Sequence, residues 1–341
     1  MNRAEFATSA LFPYAQRYGG LGRVNKHRVC LTLDTDPDGL NGKVADRQTL
    51  SWKGLEALQT LPQEMQELTE LASVPITWFI RADGQLESIL GSPSYLLEKF
   101  EDFWATVKSA GHELAWHPHL YRQARPEDAA TIITDPSEAQ EELERLWDKL
   151  RSVLPTTSFR NGEGWHVPST YATVERLGFR CDSTAIPNRK GADGHPMNWI
   201  GAPNRPYFPG SADLCVAGPE RGLLELPMNT WLLQAPYDAA PKIRYIDPAV
   251  HPHLFDDALQ NWQHALKSSS TEQCVWVMIF HPDEVFAAGR EDGLYARSRT
   301  ALFRNLISFQ ESFRHHDIEI EWVTIGEAAE LWRQGPLKQI A

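Results

Sequence analysis

The 341-residue sequence predicts an α/β fold of parallel strands joined by helices. Three observations point there. Apolar runs of strand length alternate with helical patterns almost throughout the chain. The strand runs are apolar on both faces, as strands covered by helices must be. Polar residues gather at the carboxyl ends of these runs seven times over. Such a pattern gives a barrel or a doubly wound sheet. In a parallel barrel all those ends meet at one mouth, where such folds place their chemistry.

In chain order, Val29–Leu33 ends in Asp34 and Asp36, and Ile76–Ile80 is followed by Arg81 and Asp83. Glu113–Trp116 leads into His117 and His119. Thr157–Phe159 ends in Arg160, Phe179–Cys181 ends in Asp182, and Leu223–Leu226 carries Glu225. Val275–Phe280 ends in His281-Pro-Asp283, and Ile318–Val323 is a further run. Between them lie helices. Asp135 is an N-cap with Pro136 at the first helical position. Leu143, Leu146, Trp147, Leu150 and Leu154 then keep helical spacing, so one face is apolar. The last helix opens with Thr324-Ile-Gly-Glu327, a capping box. His315 and His316 close a helix and suit its negative end.

Composition bounds the function. With 42% apolar and 23% charged residues the chain reads as a globular protein, and it lacks an apolar run long enough for a transmembrane helix. The opening MNRAEFATSALFPYAQ lacks a continuous apolar stretch and does not read as a signal peptide. Cys30, Cys181, Cys215 and Cys274 are scattered, which fits reduced thiols in a cytoplasmic protein. A net charge of -12 disfavours nucleic acid and anionic membranes as partners.

Two carboxylates two residues apart on one strand point to the same side. Their repulsion calls for a positive neighbour or a shared proton. A lone Asp at a strand end is most simply a turn cap. Asp-x-Asp on one apolar strand, facing His-x-His on another, reads as a divalent metal site. Asp36, His117 and His119 are its expected ligands. His112 reads as structural, and His27 and His264 carry no signal. Trp78, Trp116 and Trp165 read mainly as core, with a sugar-stacking alternative for Trp165.

Five blocks in this order, LTLDTD, GHELAWHPHL, FRNGEGW, LGFRCDST and VMIFHPDE, resemble the polysaccharide deacetylases of the NodB-homology type. The resemblance runs from about Arg28 to Trp332. It implies a single domain over 1–341 built as a distorted parallel (β/α) barrel of about seven strands. It also implies one divalent metal, usually zinc, and hydrolysis of N-acetyl groups on amino sugars. Asp34 matches the family's general base and Asp36 its metal-ligating aspartate. His117 matches the first histidine ligand, Arg160 the arginine that orients the base, and His281 the general acid. Asp182 lies near the aspartate that supports that acid. Two departures stand out. Thr35 separates two aspartates that are usually adjacent, and Tyr121 stands where the second histidine usually falls, leaving His119 as its nearest substitute.

The segment 183–222 is rich in Pro, Gly and Asn and long for a loop. It is expected to fold over the mouth and select substrate, with Arg189, Lys190 and Arg205 available to an anion. Arg81, Asp83, Trp165 and Glu225 complete the expected substrate contacts. The sequence thus reads as a cytoplasmic metal-dependent amide hydrolase acting on a small-molecule or oligosaccharide substrate. Deacetylation of an N-acetylated sugar or glycoconjugate is the leading activity. The alternatives are a deformylase or ureide/cyclic-amide hydrolase on the same scaffold, or a catalytically silent sugar-binding barrel.

Overall fold

The computed structural model describes residues 26–38, 50–123, 125, 128, 130–192, 194–235, 238–267, 275–286, 297–315 and 318–334. Cys274, His316, the side chain of His264 and the opening segment lie outside them.

Seven parallel strands form a curled half-barrel: β1 (Lys26–Asp34), β2 (Ile76–Arg81), β3 (Glu113–His117), β4 (Ser158–Phe159), β5 (Cys181–Asp182), β6 (Leu224–Glu225) and β7 (Val275–Phe280). Their spatial order is β7-β1-β2-β3-β4-β5-β6. An eighth, β8 (Glu319–Trp322), pairs with the start of β1. Arg28 and Val29 pair with β7 and β8 at once. Strand β8 therefore lies on the edge of β1 that β2 takes from Leu31 onward. Every run expected to be a strand is one, with ends moved by up to three residues.

The sheet does not close by strand pairing. Among the described residues β6 and β7 are the two ends of the order, and buried Asn229 works at the free edge of β7. Its backbone N–H donates to the Val277 carbonyl at 3.3 Å. Its Oδ1 accepts from the Val277 N–H at 2.7 Å, and its Nδ2 donates to the Asn204 carbonyl at 2.9 Å. One level up, the Ile279 N–H donates to the Ile246 carbonyl. Loop segments thus satisfy backbone groups that a further barrel strand would otherwise pair.

The helices bury the faces their spacing marks out. In Pro136–Leu150, Asp135 Oδ1 accepts from the Ser137 and Glu138 N–H groups, and Leu143, Leu146, Trp147 and Leu150 are buried. Trp147 stacks on Trp116 of β3 at 5.2 Å and meets Phe179 at 4.5 Å. Helix Ile325–Arg333 opens with the Thr324/Glu327 capping box. The core beneath β3 is therefore aromatic, which matters because β3 ends in His117.

Candidate active site

The carboxyl end of β1 sets the geometry. The strand stops at Asp34, and the Asp36 N–H donates back to the Asp34 carbonyl at 2.9 Å. This is a three-residue turn. It brings the two carboxylates together by folding the chain, where the sequence suggests simple alternation along a strand. Thr35 fixes the turn: its Oγ1 donates to the Phe79 carbonyl and accepts from the Arg81 N–H.

The end of β3 supplies the nitrogens. His117 Nδ1 is 2.9 Å from the Arg160 carbonyl. A carbonyl only accepts, so Nδ1 carries the hydrogen and the lone pair of neutral His117 lies on Nε2. That Nε2 faces His119 Nε2 at 3.1 Å. The His119 backbone N–H donates to Asp83 Oδ2. Across its ring lies Gly162, where a Cβ would sit 2.1 Å from His119 Cδ2. Only glycine lets the loop after β4 pass so close.

Asp36 Oδ1 lies 3.3 Å from His119 Nε2 and 3.9 Å from His117 Nε2. With the 3.1 Å between the nitrogens, the point equidistant from all three atoms lies about 2.0 Å from each. Zinc bonds to nitrogen and carboxylate oxygen are roughly 2.0–2.2 Å. The donor set and its spacing therefore fit one divalent cation, with His119 in the role that the sequence leaves between it and Tyr121. Tyr121 instead donates its hydroxyl to Glu163.

Around this triad stand groups that can move protons. Asp34 Oδ1 accepts from Arg160 at 2.6 Å, and its Oδ2 is 3.5 Å from His117 Nε2. Arg160 is fully buried, donates also to Thr32 and Ser183, and lies 3.9 Å above the Phe79 ring. His281 Nε2 is 4.0 Å from Asp36 Oδ2, so the end of β7 reaches the same mouth as the end of β1. Its Nδ1 lies 3.3 Å from Glu284, which also accepts the His281 N–H and pairs with Arg297.

The charges follow from these neighbours. Burial, the largest single effect, works to lower the His281 pKa, but Glu284, Asp34 and Asp36 together outweigh it and lift the imidazole to about 10. Burial also works against ionised Asp36, but His119, His117 and Arg81 hold its carboxyl well below the usual range. His119, with Tyr121 and His195, draws Glu163 down to about 2 against its burial.

The cleft over these residues encloses about 870 Å³. Asp34, Asp36, His117, His119, Arg160 and His281 line it together, and Arg189, His195 and Met197 of the 183–222 segment form part of its wall. Five residues expected in the site lie behind that wall. Arg81 and Asp83 are buried, with Arg81 donating to Asp36 Oδ1 at 2.8 Å, so they brace the triad from beneath. Trp165 is core, as its burial requires. Asp182 sits 2.9 Å from His166 Nε2. The carboxylate beside His281 is Glu284. Glu225 is fully buried, accepts from the Ala185 N–H, and is pushed well above the usual carboxyl range by desolvation and then by Asp182. None of these five side chains lines the cleft.

Glu163, His195, Glu284 and Arg297 also line the cleft, with Asp247 paired to Arg297 and His166 to Asp182, and none of the six ends an apolar run. Glu163 stands inside the FRNGEGW block, flanked by glycines, with φ of 56°. Its position between Gly162 and Gly164 was the available signal. Glu284 stands three residues after His281, the spacing at which a turn of helix brings side chains together.

No protein-family pattern matches the chain, and no curated protein matches it in sequence. Solved structures do match in shape. They include a putative glycoside hydrolase/deacetylase from Parabacteroides distasonis, with a TM-score of 0.55 and 14% identity over 92% of this chain and 72% of that one. A probable polysaccharide deacetylase from Pseudomonas aeruginosa PAO1 has a TM-score of 0.50 and 14% identity over 92% of both chains. PuuE allantoinase has a TM-score of 0.50 and 13% identity over 93% of both. The fold is thus the NodB-like half-barrel that these deacetylase and allantoinase structures share.

Proposed function

We propose that the protein is a metal-dependent amide hydrolase that removes the acetyl group from an N-acetylated sugar or glycoconjugate. One observation carries this: Asp36, His117 and His119 present three donor atoms at ligand spacing, with Asp34 and His281 beside them at one mouth. A cleft of about 870 Å³ falls within the roughly 300–1,000 Å³ of small-molecule sites. That supports a small sugar or short oligosaccharide over the surface of a polymer. Cys30, Cys181 and Cys215 are free thiols, in keeping with a reducing, cytoplasmic setting. Among the described residues no helix is long and apolar enough to cross a membrane.

A divalent cation held by Asp36, His117 and His119, with zinc the expected metal, would polarise the amide carbonyl and acidify water. Asp34, positioned by Arg160, takes the proton of the attacking water through Oδ2. Its Oδ1 is already engaged by the guanidinium, so the free oxygen faces the reaction. His281 holds the proton that the departing nitrogen needs, and Glu284 keeps its Nε2 turned to the cleft. Arg81 and Asp83 keep Asp36 and the His119 backbone in place. Cyclic-amide hydrolysis is the second reading, favoured by the likeness to allantoinase over 93% of both chains.

Acetate release from N-acetylglucosamine oligomers, with and without zinc, tests the proposal. Zinc-dependent release that Asp34→Asn abolishes supports it. Hydrolysis of allantoin with no acetate release from any N-acetyl sugar would replace it with the second reading.

A further inference from the structure

The cleft holds cations of two kinds. Arg160 is paired to Asp34, Arg297 to Glu284 and Asp247, and His195 and His281 to Glu163 and Glu284. Arg189 differs. It lines the same cleft, yet among the described residues no carboxylate lies in ion-pair reach of it, and the contact found for its guanidinium is the Tyr245 ring at 5.8 Å. A guanidinium carries five N–H donors in a planar fork suited to a carboxylate or phosphate. In a chain of net charge -12, a cleft-lining guanidinium with no carboxylate in reach among the described residues is conspicuous.

The backbone that presents Arg189 is built. The Asn188 N–H donates to the Trp199 carbonyl, and the Trp199 N–H donates to the Arg189 carbonyl, both at 2.8 Å. Asn188 takes φ of 61°, a left-handed conformation that asparagine tolerates, and its Oδ1 accepts from the Gly201 N–H. Lys190 and Asn198 form the next bridge. Buried Trp199 then donates Nε1–H to the Gly164 carbonyl at 2.6 Å. That bond ties the ribbon to the loop whose Gly162 packs on His119. The backbone at Arg189 is therefore tied, through the Trp199 side chain, to the loop that packs on His119.

Its distance from the chemistry is bounded. The Tyr245 ring lies 6.4 Å from the His281 ring and 5.8 Å from the Arg189 guanidinium carbon, so the two cations are at most about 12 Å apart. One sugar ring with an acidic substituent spans that gap. We propose that Arg189 is the anion-binding residue of this cleft, and that the substrate carries a carboxylate or phosphate on the amine side of the scissile amide. This rests on the amide-hydrolase reading for which side of the amide faces His281; the anion site itself does not.

The test uses four probes: N-acetylglucosamine, its C6 carboxylate, its 6-phosphate, and N-acetylmuramic acid, whose carboxylate hangs from C3. Binding to the zinc-loaded protein is measured by calorimetry, and acetate release is followed separately. At least one acid should bind about 10- to 100-fold tighter than the neutral sugar, the strength of a charge-assisted pair. Which acid gains most tells carboxylate from phosphate. Arg189→Gln should remove that preference, and Arg189→Lys should keep part of it because the charge remains. Equal binding of acids and neutral sugar, no measurable binding of any acid, or a preference that survives Arg189→Gln would each overturn the proposal. Acid preference lost in Arg189→Gln without acetate release would leave the anion site standing and remove deacetylation. Acetate released from all four with equal efficiency and equal affinity would do the reverse.

Discussion

Single residues control whether the triad can form. Gly162→Ala places a methyl group about 2 Å from the His119 ring, so the ring must swing off its place towards the cleft that it lines. Zinc affinity, read by competition with a chelator, should fall at least 10-fold while the melting temperature moves little; unchanged affinity would mean that His119 is not a ligand. Glu163 acts on the same ring from another direction. His119 Nδ1 is buried without a hydrogen-bond partner, and Glu163 Oε1 stands 3.7 Å away. A metal-ligating histidine usually donates its second N–H to such a carboxylate, and loss of that partner costs roughly 10- to 100-fold in affinity. Glu163→Gln should show a loss of that order in the same competition, and retention of full affinity would assign Glu163 to loop structure alone. Asp34, Asp36, His117, His119, Arg160 and His281 were legible because each follows an apolar run, and burial leaves a strand-end charge few purposes. Glu163, His195 and Arg297 were not, because they arrive from loops whose paths no periodicity fixes.

At the scale of elements, the strands were legible and their closure was not. Apolar runs announce parallel strands, but nothing in the sequence says that Asn229 will serve the open edge of β7. Asn229→Ala leaves the Val277 N–H without its side-chain acceptor in a buried place. The cost should be about 1–3 kcal/mol, measured by urea unfolding; a change below a few tenths would show that water replaces the amide there. Strand β1 makes a second prediction through His27, which carried no signal in the sequence. Its Nδ1 accepts from Trp276 Nε1–H at 2.9 Å, and burial lowers its pKa to about 4. Unfolded histidine titrates near 6.5, so between about 6.5 and 4 the unfolded chain binds the extra proton. Stability from this residue is therefore present above pH 6.5 and lost as pH falls towards 4. His27→Gln, whose side chain does not titrate, should flatten that part of the stability–pH curve, and an unchanged slope would mean that other groups set it. The expectation that Asp182 supports His281 also belongs here. Strand β5 ends too far round the half-barrel, where Asp182 meets His166, whereas Glu284 is delivered by the helical turn directly after β7.

For the whole molecule, the ends of β1, β3 and β7 bring the proposed base, ligands and acid to one mouth from positions far apart in the chain. If His281 is the acid, the arrangement predicts a selective defect. His281→Ala should slow amide cleavage strongly, yet slow an activated acetyl ester much less, because a good leaving group needs no proton. Equal loss on both substrates would make His281 structural. All of this depends on Asp36, His117 and His119 sharing one ion. Crystals of the zinc-loaded protein, with anomalous diffraction at the zinc edge and elemental analysis of the same sample, address it directly. The expected result is one ion per chain within about 2.0–2.2 Å of Asp36 and of both histidine Nε2 atoms, lost in Asp36→Ala. A saturated sample that holds no zinc, or holds it elsewhere with these three side chains turned apart, would contradict it.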